Sequence, residues 1–201
     1  MPVTLPDPII AELRPKVNNA QAKRLNAVAA AQLTRTADRS LLHLAAEFKV
    51  PELITALIAR NDPVNVVDDQ NYTPLHYAAL QCASDMMRVL LRAGADPNIA
   101  NFRGDTPLHE VTCQLSCDRA AMLLQHGADV NVRNMDGCTP VWLAARNGWL
   151  LLIQLLHQAG ASLLTADNEQ RTPHDIAKLM AHQPAADLIQ QLLAEQPLIR
   201  S

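Results

Sequence analysis

A period of 33 residues governs this chain. Thr73-Pro74-Leu75-His76 returns as Thr106-Pro107-Leu108-His109, as Thr139-Pro140-Val141-Trp142 and as Thr172-Pro173-His174-Asp175, the threonines 33 residues apart each time. One interval earlier stands Ser40-Leu41-Leu42-His43, and one earlier again Asp7-Pro8-Ile9-Ile10. Gly94, Gly127 and Gly160 follow their threonines by 21 residues, and Asn65, Asn98 and Asn131 hold an offset of 25 from the opening residue. The other glycines of the chain's six are Gly104 and Gly137, two before a threonine, and Gly148, nine after one. Glycine belongs where the backbone takes positive φ, in a helix C-cap or a tight turn, so these three phases mark where each repeat turns. Self-similarity at this period is the signature of stacked supersecondary units that bury their apolar faces on one another.

Within a repeat the residues predict two helices. In Thr73-Pro74-Leu75-His76-Tyr77-Ala78-Ala79 the hydroxyl residue suits the N-cap and proline suits the first helical position, where a missing N–H costs nothing. The small pairs Ala78-Ala79, Ala45-Ala46 and Ala144-Ala145 let neighbouring helices approach closely. A second helix follows in Met86 to Leu91, with counterparts in Leu53 to Ile58, Ala120 to Leu124, Leu152 to Leu156 and Ala185 to Ile189, and these carry the core between layers.

The signature and its period resemble those of the ankyrin-repeat family, strongly over residues 36–196 and weakly over 5–35. The resemblance implies an all-α solenoid of stacked helix-turn-helix units with hairpin-like loops. Its expected boundaries are an N-terminal segment with a degenerate capping repeat (1–35), repeats at 36–67, 68–100, 101–133 and 134–166, and a C-terminal capping repeat (167–201). The first cap has lost its glycines and carries a polar-spaced, alanine-rich helix from about Asn18 to Leu33. The last has the polar pair His174-Asp175, with Gln183, Gln190 and Gln191 expected to be exposed.

Composition excludes several classes of function. The chain is 49% hydrophobic and 18% charged, with 17 basic and 20 acidic residues and a net charge of −3, so it offers no strong field toward nucleic acid or anionic lipid. Its longest apolar runs are five residues, such as Ala27 to Ala31 and Trp149 to Ile153, against the roughly 20 a spanning helix needs. Met1 to Pro8 lack the basic and apolar regions of a secretory signal. Cys82, Cys113, Cys117 and Cys138 are read as unpaired thiols in a reducing, cytoplasmic compartment.

A metal or catalytic role finds no support in the spacing. His43, His76 and His109 share one phase, so they stack roughly 8–10 Å apart, whereas a shared metal needs each nitrogen at about 2.0–2.1 Å. Each histidine is expected to hydrogen-bond within the turns that join adjacent repeats. Cys113 and Cys117 straddle a predicted turn, and Cys138, read as a hairpin-tip residue, is expected to be the most reactive thiol. No phosphate-cradling, nucleophile-elbow or HExxH motif occurs, so no catalytic residue, metal ligand or cofactor is expected.

The family resemblance implies that a partner protein is held on the concave face by hairpin tips and inner helices. Carried over by position, these are Asp69, Gln70, Tyr72, Leu80 and Gln81, then Phe102, Arg103, Asp105, Cys113 and Gln114, then Met135, Asp136, Cys138, Arg146 and Asn147. Within that set Gln70, Tyr72, Leu80, Phe102, Arg103, Asp105, Met135, Asp136, Arg146 and Asn147 are the expected contact residues. Tyr72, Phe102 and Met135 are large and apolar at turn positions of consecutive repeats, where solvated residues are the default, and Arg103 and Arg146 lie near them in sequence. A monomeric, non-enzymatic interaction module follows, with no nucleic acid, membrane or small-molecule substrate. The alternative is an inhibitor or regulator that masks a transcription factor or an enzyme by surface occupation. Lys49, Cys82, Leu115 and Ala181 stand where the fourth repeat has Gly148, and Glu110-Val111-Thr112 replaces the usual small pair. Amide hydrogen exchange is therefore expected to be fastest in the end repeats and locally fast around Leu115; uniform protection along the chain would contradict this.

Overall fold

The computed structural model describes residues 7–33 and 39–195, and the N-terminal Met1 to Pro6 lie outside the described residues. These residues fall into two compact units, one ending at Phe102 and the other beginning at Arg103. The N-terminal unit contains α1 (Pro8–Leu13), a 3₁₀ turn (Arg14–Lys16), α2 (Asn19–Leu33), α3 (Leu41–Glu47), α4 (Pro51–Ala59), α5 (Pro74–Leu80) and α6 (Ser84–Arg92). The C-terminal unit contains α7 (Pro107–Thr112), α8 (Cys117–Gln125), α9 (Pro140–Arg146), α10 (Leu150–Gln158), α11 (Pro173–Leu179) and α12 (Gln183–Glu195). No strand occurs among the described residues, and the fold is an all-α stack of helix pairs.

From α3 onward, in each unit the first helix of a repeat packs on the first helix of the next and the second on the second, whereas α1 packs on α4 and α2 on α3. Thus α3 meets α5 and α4 meets α6, while α7, α9 and α11 form one row and α8, α10 and α12 another. Ala45, Ala46, Ala78 and Ala79 in one unit and Ala144, Ala145 and Ala177 in the other are fully buried, which lets the first helices close together. Leu53, Ile54, Leu57, Met87 and Leu90, and separately Leu123, Leu152, Ile153, Leu156 and Ile189, fill the layers of second helices. Full burial of each such side chain contributes roughly 1.5–3 kcal/mol. Thr112, at an alanine position, is tolerated because its hydroxyl donates to the Leu108 carbonyl at 2.7 Å.

Asp7, Thr73, Thr139 and Thr172 open their helices as the sequence predicts, each side chain accepting a backbone N–H two or three residues on, with proline as the first helical residue. The Asp7 carboxylate also pairs with Arg60 at 3.0 Å, tying the first repeat to the end of α4. Of α2, Leu25 and Val28 are fully buried, and the other described side chains are exposed or half-buried. In α12 Gln183, Gln190 and Gln191 face solvent.

The histidines close the junctions between repeats. The N–H of Ser40 donates to His43 Nδ1 at 3.0 Å, which leaves Nε2 protonated, and Nε2 donates to the Tyr72 carbonyl at 2.9 Å. His109 does the same, accepting from the N–H of Thr106 at 3.1 Å and donating to the Cys138 carbonyl at 3.2 Å. Trp142 keeps half of this function: its indole N–H donates to the Arg171 carbonyl at 3.0 Å. Burial holds His43 and His109 below the ordinary histidine range, so both are neutral at pH 7.

In the helix pairs from α3–α4 to α11–α12 the turn between the two helices is left-handed at one residue, whatever that residue is. Gly148 has φ 71°, and Lys49, Cys82, Leu115 and Ala181 have φ 57°, 55°, 49° and 60°. The left-handed region costs a residue with a Cβ roughly 1–2 kcal/mol. Leu115 is 53% exposed, so little packing offsets that cost. Leu115→Gly should raise the unfolding free energy by roughly 0.5–1 kcal/mol, seen as a higher urea midpoint at unchanged slope.

Candidate functional site

Each hairpin-like loop is closed by an acidic or amide side chain five residues before its threonine. Asp68 Oδ1 accepts from the N–H groups of Gln70 and Tyr72 at 3.0 and 2.9 Å. Asn134 Oδ1 accepts from Asp136 and Cys138 at 3.1 and 2.9 Å, and Asp167 Oδ1 from Glu169 and Arg171 at 2.9 Å each. Adjacent loops are then joined through their backbones. The N–H of Phe102 donates to the Gln70 carbonyl, that of Met135 to the Arg103 carbonyl and that of Asn168 to the Asp136 carbonyl, at 2.9, 2.9 and 3.0 Å. The tips therefore project side chains from a fixed backbone.

In the N-terminal unit the loop tips carry an aromatic cluster. Phe102 is 49% exposed, and its ring lies 6.3 Å from that of Tyr72. Tyr72 is half-buried rather than an exposed anchor, packed on Tyr77 at 5.8 Å and on His76 at 5.5 Å. It also stands three residues later in its repeat than Phe102 and Met135 do in theirs, sharing its place with Asp105, Cys138 and Arg171. The expected row of three exposed apolar tips is thus reduced to Phe102 and Met135, and the Tyr72 ring packs beside Phe102. Gln70 and Leu80 are exposed beside this cluster in the repeat, and Arg39, paired with Glu47 at 2.7 Å, lies over Tyr77 at 5.2 Å. The Tyr77 hydroxyl donates to Asp68 at 2.8 Å.

In the C-terminal unit Met135 is 71% exposed at its tip. Arg103 lies 3.8 Å from Asp105, which also accepts from the Asn134 side chain at 2.8 Å. Between the loops of the fourth and fifth repeats runs a groove of about 350 Å³. Asp136, Cys138, Trp142 and Arg146 line one wall, and Asp167, Asn168, Glu169 and Arg171 the other. The Arg146 and Arg171 guanidinium groups lie 5.8 and 5.7 Å from the Trp142 ring. Arg171 is fully engaged, holding Asp167 at 2.7 Å and Glu169 at 2.7 Å. Burial alone would raise the Asp167 carboxyl, but the backbone N–H and guanidinium of Arg171 outweigh it and hold the group below the usual carboxylate range. Asn147, the helix C-cap after Arg146, is half-buried.

Cys138 is not the reactive thiol expected of a hairpin tip. It is 5% exposed, and burial, with Asp167 and Asp136 nearby, pushes its thiol up to about 11. The residue sits under the loop because its N–H and carbonyl both pair with Asn134. Cys113 caps α7 and Cys117 opens α8, so they do straddle a turn. Among the described residues no three histidine, cysteine or acidic side chains gather as a metal site, and no helix is long and apolar enough to cross a membrane.

Reading by phase missed the second wall of the groove. Asn168, Glu169 and Arg171 occupy in the fifth repeat the phases of Met135, Asp136 and Cys138 in the fourth, so the offset that marks the first wall marks the second as well. The Asp68, Asn134 and Asp167 ladder was equally visible, as an acid or amide at a constant five residues before each threonine.

The family model for ankyrin repeats in three copies matches residues 17–101 and 42–134, and that for a single ankyrin repeat matches 136–168. The chain belongs to the ankyrin-repeat family. Ankyrin repeats are in general non-enzymatic protein–protein interaction modules. No curated protein matches the chain.

One inner-helix residue breaks the apolar pattern. Glu110 stands where the other repeats have Leu44, Tyr77, Leu143 and Ile176, and burial, with Asp105 nearby and Arg103 opposing, pushes its carboxyl up to about 7. Because the folded value exceeds the unfolded one, the native state favours the protonated form, and stability is lost as pH rises through about 7. Glu110→Gln should therefore stabilise the protein at pH 8, on the order of 2 kcal/mol, and have little effect at pH 5, as read from urea midpoints.

Proposed function

We propose that the protein is a monomeric cytoplasmic recognition module that holds a partner protein against its hairpin tips and inner helices, the face that is concave in an ankyrin stack. The observation that carries this reading is the pair of large apolar side chains, Phe102 and Met135, exposed at the same phase of two repeats on backbones pinned by inter-loop hydrogen bonds. A rigid backbone lowers the entropic cost of presenting such anchors, which is where binding energy concentrates. Within the N-terminal unit Gln70 and Leu80 are proposed to join Phe102 in contacting the partner, with Tyr72 as the ring beside it, and within the C-terminal unit Arg103, Asp105, Asp136, Arg146 and Asn147 are proposed to join Met135. An interface of roughly 1,200–2,000 Å² is ordinary for such a face.

A binder selected from a random peptide library on the wild-type protein provides the test. Phe102→Ser with Met135→Ser should weaken that binder by about tenfold or more, with the thermal midpoint within about 2 °C of the parent. Arg88→Ser, on the exposed side of α6, should leave binding unchanged. Equal loss in both variants, or none in the double variant, places recognition elsewhere on the molecule.

A further inference from the structure

The chain's net charge of −3 is unevenly spread. From Leu13 to Leu33 its charged residues are Arg14, Lys16, Lys23 and Arg24, with no acid among them. All four are exposed, two in the 3₁₀ turn and two in α2. Among the described residues none of the four forms an ion pair, and Arg24 donates to the Lys49 carbonyl at 3.2 Å, which sets half-buried Lys49 beside α2. Nearby acids offset this only in part. Asp7 is held by Arg60 and Glu47 by Arg39, which leaves Glu12, exposed on α1, and Glu52, whose carboxylate accepts from the Gln21 side-chain amide. Five cations thus stand against two carboxylates, and a cluster of one sign favours a partner surface of the other.

The rest of this face selects among anionic partners. On α2 Leu25 and Val28 turn inward, while Ala20, Lys23, Asn26 and Ala30 face outward three or four residues apart. Residues 7–31 contain no aromatic side chain to stack on a base, and none of their large apolar side chains is exposed to enter a lipid surface. Alanines flanking a lysine instead let a second helix approach closely while its carboxylates reach the cations. We infer that this face is a second recognition surface, separate from the hairpin tips, and that it takes an acidic helix of a partner protein along α2. Carboxylates three or four residues apart on that helix meet Lys23 and Arg24 and, beyond the start of α2, Lys16 and Arg14. The surface does not depend on Phe102 or Met135, so it stands or falls apart from the reading of the tips.

The test is a titration of the full chain with a capped, alanine-based helical peptide bearing glutamate at every fourth position, read by fluorescence anisotropy and by backbone amide shifts. The peptide should shift amides of residues 14–30 saturably, bind more weakly as salt is raised, and lose about tenfold in affinity to Lys23→Gln with Arg24→Gln. Lys16→Gln with Lys23→Gln breaks no hydrogen bond among the described residues and should weaken binding to a similar degree, which keeps the comparison valid if loss of the Arg24 contact lowers the melting temperature. Arg88→Gln with Arg92→Gln, the same change of charge on the exposed side of α6, should leave affinity unchanged, as should Phe102→Ser with Met135→Ser. Equal binding of the glutamine peptide, equal loss in the α6 variant, or tighter binding of duplex RNA or of phosphatidylserine vesicles at the same anion concentration overturns the inference. Acidic-helix binding that survives loss of Phe102 and Met135 but not of Lys16 and Lys23 supports it, whatever becomes of binders to the tips.

Discussion

A ring nitrogen at the repeat junction carries the architecture. In three repeats the residue three after the opening Thr or Ser reaches past its own helix to the carbonyl that precedes the next repeat's cap, as His43 does to Tyr72, His109 to Cys138 and Trp142 to Arg171. In the histidines the cap N–H selects the tautomer by donating to Nδ1, so the proton is on Nε2 and points at the next loop. Each such bond fixes two things at once, the N-terminus of a helix and the register of the loop stacked on it. Asp175, at the same phase, turns back on its own cap instead, accepting from the N–H and hydroxyl of Thr172.

From that junction the surface follows. Once loops are held in register, the side chain closing each turn, Asp68, Asn134 or Asp167, can satisfy two N–H groups, and the loop backbones can pair with one another. Tip residues are then released from structural duty, and that is why Phe102 and Met135 remain exposed on a rigid frame. The exchange of histidine for tryptophan at position 142 retains the junction bond while adding an aromatic plate beneath Arg146 and Arg171. A departure from the repeat is thereby turned into a feature of the surface, because the hydrogen bond constrains one atom of the side chain and leaves the remainder to vary.

The same logic separates tolerable departures from costly ones. Thr112 in an alanine position satisfies its hydroxyl locally and fits. Glu110 among apolar counterparts brings a carboxylate into a half-buried site beside Asp105, and its raised titration is the signature of that conflict. Leu115 and its counterparts adopt the left-handed turn that Gly148 adopts without strain, since the geometry of the helix pair dictates φ whichever residue is present.

The sequence by itself determined the repeat, its period, the helix N-caps and the turns, because each is a local pattern whose chemistry is complete within a few residues and recurs every 33. What only the tertiary structure decided is which residues of a repeat remain available. Tyr72 and Cys138 occupy loops yet are covered, and Arg171 is saturated while Arg146 is not. Exposure and charge pairing depend on side chains a full repeat away, packed at close range by stacking, and no local spacing encodes that distance.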